Sequence, residues 1–118
     1  SGLMLEGRME EAFQHLARGG KPVLAMTDGL DPSERRLSED TPRHWDPHVW
    51  MDVHAWKTCA GYIANRLAEL DPEHAEGYRS RAERYVQQLA DLDARVQTAI
   101  ESIPAAQRVL ITAHDAFG

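Results

Sequence analysis

An apolar stripe running through four heptads limits what this chain can fold into more than any other feature. Ala75, Tyr78, Ala82, Tyr85, Leu89, Leu92, Val96, Ala99 and Ile103 alternate spacings of three and four residues until Pro104 stops the pattern, which predicts one helix with a continuous buried seam. The start is equally well marked. Asp71 suits the N-cap, Pro72 the first helical position and Glu73 the positive end of the helix dipole. A helix of about thirty residues is about 45 Å long, whereas a compact domain of about 100 residues has a radius of gyration near 13 Å. A helix over 72–103 is therefore too long for a chain of 118 residues to wrap. It lies across something beyond this sequence, spans two lobes, or pairs with another copy.

The other elements are shorter. Leu5, Met9, Ala12, Phe13 and Leu16 form one stripe and Gly19-Gly20 supplies a stop, which predicts a helix over about 4–18. Trp56, Cys59, Ile63, Leu67 and Leu70 predict another over about 53–70. Two apolar runs, about 22–26 and 108–112, read as short buried strands. Between Asp28 and Pro47 lie Gly29, Pro32, Pro42 and Pro47 among charged residues with no period, a loop in which only Pro32–Leu37 has the composition of a helical turn. Two strands about eighty residues apart do not make a self-sufficient sheet. The expected fold class is α/β and mostly helical, as an internal slice of a larger protein.

Charge and composition exclude several functions. Thirteen Lys and Arg against nineteen Asp and Glu leave a formal charge of −6, and without a basic stretch there is no footprint for nucleic acid. The apolar run at 23–26 is far short of the roughly 20 residues of a membrane span. One cysteine, Cys59, excludes an internal disulfide and a cysteine zinc cluster. Gly-rich phosphate loops, the His-Glu-x-x-His motif and the Gly-x-Ser-x-Gly elbow are missing.

Six histidines form the only unusual reactive inventory. His15 and His74 read as solvated helix residues. His44 and His48 are four apart, but Pro47 between them rules out a shared helical face. His48 ends a loop just before a helix, where Trp50 can anchor it; by its residues alone it is better explained as a half-buried turn histidine. His114 follows directly on an apolar run, where open α/β sheets place their ligands, with Asp115 beside it.

Three segments together resemble a known family. They are Asp46-Pro47-His48-Val49-Trp50-Met51-Asp52, the Leu70-Asp71-Pro72-Glu73 opening of the long helix, and Arg108-Val109-Leu110-Ile111-Thr112-Ala113-His114-Asp115-Ala116-Phe117-Gly118. The chain is similar to the zinc- and manganese-binding solute-binding proteins of bacterial ABC importers, and the likeness runs over its whole length. It implies a two-lobed helical-backbone metal receptor, with residues 1–71 the later part of the first lobe, 72–103 the rigid inter-lobe helix and 104–118 the start of the second lobe. By the same resemblance, His48 and His114 are metal ligands, Asp46 and Asp115 orient their rings, and the remaining ligands lie outside this sequence. Zinc is favoured over manganese because position 114 is His rather than Glu. The partner implied is a membrane permease, and the location periplasmic or otherwise extracytoplasmic, with the signal peptide not in this sequence. The role is binding, not catalysis, and the metal site is incomplete within these residues.

Two rivals have a basis in the residues. His114-Asp115 is also the doublet of His-Asp metal-dependent hydrolases, and the heptad stripe could build a coiled-coil interaction module. Exposed apolar faces would also favour self-association of the slice.

Overall fold

The computed structural model describes residues 2–38, 43–114 and 116–117. Three α-helices carry it: α1 (Met9–Arg18), α2 (Val53–Leu70) and α3 (Ala75–Glu101). Short 3-10 turns fill the connections at Met26–Gly29, Pro32–Glu34, Val49–Met51, Pro72–His74 and Ala105–Gln107. The Cα radius of gyration is 16.9 Å and the extents are 52 × 34 × 22 Å, against about 13.5 Å for a compact chain of this length. The elongation follows from α3, as the stripe requires. No helix among the described residues is long and apolar enough to cross a membrane.

α2 and α3 lie against each other and form the body of the molecule. α2 begins where Asp52 accepts the backbone N–H of Ala55 at 3.0 Å, a side-chain N-cap. Its buried positions, Ala55, Cys59, Ala64 and Ala68, are all small, so neighbouring backbone can approach closely. Across the seam the Trp56 indole donates to the Tyr85 hydroxyl at 3.0 Å and the Lys57 ammonium meets Asp93 at 3.1 Å. At the other side of α2, Leu30 packs on Ala55 and Cys59, with Met26 and Val49 against them. Burial, and secondarily the Glu34 carboxylate, pushes the Cys59 thiol above its ordinary pKa, so it behaves as a small apolar core residue.

The corner between α2 and α3 corrects one expectation. The Asp71 side chain makes no cap to a backbone N–H. Its carboxylate instead hydrogen-bonds the His74 ring at 3.0 Å and accepts the Tyr78 hydroxyl at 2.8 Å. The 3-10 turn at Pro72–His74 brings both donors over the carboxylate, and they take the place of the backbone. Those bonds, His74 first, hold the Asp71 carboxyl below its usual range, and Asp71 raises the Tyr78 phenol.

α1 starts later than its stripe suggests, at Met9 instead of about residue 4. Leu3 and Met4 have φ of 55° and 65°, and Gly7 has 53°, so residues 3–8 form turns that a right-handed helix cannot continue. Its far end is as read: Gly20 at φ 77° lets Lys21 N–H reach Leu16 O and Gly20 N–H reach Ala17 O, a Schellman stop.

The strand expectation also needs correction. Among the described residues no strand ladder forms; the one bridge is Leu37 with Trp45. Residues 22–25 are without regular structure and Met26 turns into a 3-10 turn, while 108–112 carry Val109, Leu110 and Ile111 at 74, 70 and 91% exposure. Both segments have strand composition, but a strand needs a neighbour to take its N–H and C=O groups, and these segments have none within the described chain.

Gly29 marks a close backbone approach to α2, since a Cβ there would lie 2.4 Å from the Tyr62 Cβ. Gly29→Ala should cost about 1–3 kcal/mol by overpacking. Gly61→Ala, inside α2 with nothing within 4 Å, should be stabilising by about 0.5–1 kcal/mol. Chemical denaturation of the two variants checks this, and equal midpoints would refute the close approach.

Candidate metal centre

The loop before α2 is built to hold His48. Ser38 N–H donates to His44 O at 2.9 Å and Asp46 N–H to Arg36 O at 2.8 Å, which fixes the backbone on either side of the Leu37–Trp45 bridge. Asp46 then folds over the following proline. Its Oδ1 accepts the His48 backbone N–H at 2.9 Å and lies 2.7 Å from His48 Nδ1, with both side chains 15% exposed. Trp50 sets its ring edge-on to the imidazole, centroids 5.2 Å apart. The ring is thus held on two sides, and only Nε2 is left to point outward.

His114 arrives from the other end of the chain. After the turn at Ala105–Gln107, Thr112 Oγ1 donates to the His114 carbonyl at 2.8 Å, a local bond that shapes the approach. The two Nε2 atoms stand 3.0 Å apart, the ring centroids 4.8 Å, across 66 residues of sequence. With a carboxylate on Nδ1, His48 carries its hydrogen there and presents a lone pair at Nε2. Two imidazole nitrogens on a tetrahedral zinc at about 2.05 Å would be about 3.3 Å apart, so a small opening of this pair admits an ion.

His48, His114 and Asp46 are therefore brought together, and Asp115 lies outside the described residues. The other histidines are elsewhere: His15 on α1, exposed His44 on the loop, His54 at 3.5 Å from Glu34, and His74 on Asp71. Among the described residues no group of three or more His, Cys, Asp and Glu could hold a metal ion. Below His48 a small cavity is walled by Arg36, Val49, Met51, Ala116 and Phe117. Arg36 was missed by sequence reasoning. Its Nη1 donates to the Phe117 carbonyl at 2.8 Å, and a loop arginine without a period gives no sign of a bond 81 residues away.

This arrangement coincides with clear kinship. The periplasmic zinc binding protein TroA from Treponema pallidum superposes with a TM-score of 0.89 at 41% identity, covering 99% of this chain and 41% of that one. Among curated proteins, the zinc-binding protein TroA of Treponema pallidum (strain Nichols) is 41% identical over all of this chain and 37% of its own length. The manganese-binding lipoprotein MntA of Bacillus subtilis (strain 168) is 34% identical over 99% and 38%, and the iron-binding protein YfeA of Yersinia pestis 32% over 99% and 37%. The chain thus spans a little under two fifths of the length of these curated relatives. The family profile for the periplasmic zinc-uptake complex component A, ZnuA, matches residues 1–118, and the chain belongs to that family.

Proposed function

We propose that this chain supplies two imidazole ligands, His48 and His114, to a site that captures a divalent transition metal outside the cytoplasm and passes it to the permease of an ABC importer. The observation that carries the reading is the convergence of two Nε2 atoms at 3.0 Å with Asp46 behind one ring. On this reading residues 1–71 belong to the first lobe, 72–103 to the linking helix and 104–118 to the second lobe, with further ligands from elsewhere in the protein. Zinc is the favoured cargo because imidazole suits it better than it suits manganese; the relatives' names cover zinc, manganese and iron alike. The ion is cargo, bound and released unchanged, and no reaction step is assigned to the protein.

The rivals are less well supported. His114 sits in a bend and not on a helix, unlike the doublet of the His-Asp hydrolases. The α3 stripe is partly used within the chain, with Leu89 buried and Tyr85 held by Trp56, which leaves a poor zipper seam.

In the complete protein, His48→Ala and His114→Ala should each weaken zinc binding by about a hundredfold or more, and Asp46→Asn by about tenfold. Competition titration against a chelator measures both, and unchanged affinities in the two histidine variants would sink the assignment. A second expectation concerns protons. Each one taken up by a ligand imidazole removes a lone pair, so affinity should fall as pH is lowered and that fall should flatten in His48→Ala; calorimetry across a pH series reads the slope.

A further inference from the structure

We propose that Arg36 is the positioning residue that sets the two imidazoles against each other; this rests on the metal-site reading above. One residue engages both arms of the pair. Its backbone carbonyl accepts Asp46 N–H at 2.8 Å, which fixes the residue whose carboxylate holds His48 Nδ1. Its guanidinium Nη1 donates to the carbonyl of Phe117 at 2.8 Å, three residues beyond His114.

The second arm needs such a hold. Val109, Leu110 and Ile111 approach the site 74, 70 and 91% exposed, and the Phe117 side chain is half-exposed. Packing therefore anchors the approach weakly. The Arg36 bond joins Ala116 and Phe117 to the wall formed by Val49 and Met51, next to His48.

Charge gives the idea a distinctive sign. A guanidinium lining the cavity beside a cation site repels the cation, even with Glu34, Asp46 and Asp52 on the same wall. Removing it would strengthen metal binding if charge were all that mattered. If Arg36 positions the histidines, removing it weakens binding instead.

The test uses the complete protein with zinc and, separately, cobalt(II) as probes. Arg36→Ala should lower zinc affinity about tenfold, as removal of a ligand-orienting partner does. Arg36→Lys, which keeps a donor and the charge, should recover most of it. The cobalt(II) visible spectrum should change in Arg36→Ala, while the melting temperature of the metal-free protein stays that of the wild type. Affinity of Arg36→Ala equal to or above wild type, beside a His48→Ala variant that loses zinc, overturns the role of Arg36 and leaves the metal site standing. A loss in Arg36→Ala that lysine does not recover and that follows a lower metal-free melting temperature also overturns it. Wild-type protein that binds no zinc removes the metal reading itself.

Discussion

Everything else in the molecule hangs on the seam between α2 and α3. The buried face of α2 is made of Ala55, Cys59, Ala64 and Ala68, and side chains this small allow close packing at little entropic cost. The Trp56–Tyr85 and Lys57–Asp93 contacts then fix the register. Because the pairing is antiparallel, α3 runs from Tyr85 to Glu101, about 24 Å, while α2 has barely a turn left before Trp56. The long helix overshoots, and Arg108 turns the chain back by donating to the carbonyls of Ile103 and Glu101. That reversal is what returns His114 to the start of α2.

The two histidines are held by different means. His48 rests on a rigid base: a bridged loop, a carboxylate that binds both its backbone and its ring, and an indole edge. His114 rides on a segment with little apolar burial, secured by polar contacts near its end.

The long helix and α2 were legible because periodicity over many residues outweighs local noise, and α2 matches its expected span at both ends. Local detail was less legible. Leu3 and Met4 occupy left-handed backbone without being glycines, and nothing in their identity announces it. Asp71 had every mark of an N-cap and found better donors in His74 and Tyr78. The apolar runs at 22–26 and 108–112 have the composition of strands, but pairing is a property of neighbours and not of a segment. His48 and His114 were suggested by motif resemblance; the residues alone favoured a turn histidine at His48, because contacts across 66 residues leave no local trace.

The 3.0 Å bond between the imidazoles bears on the metal-site reading proposed above. With its Nδ1 hydrogen given to Asp46, His48 accepts at Nε2, so the hydrogen in the bond belongs to His114. For both Nε2 atoms to offer lone pairs, that hydrogen must move to the other nitrogen of the His114 ring. On the metal-site reading proposed above, binding an ion through both rings would require a tautomer exchange in His114, which leaves the net charge unchanged.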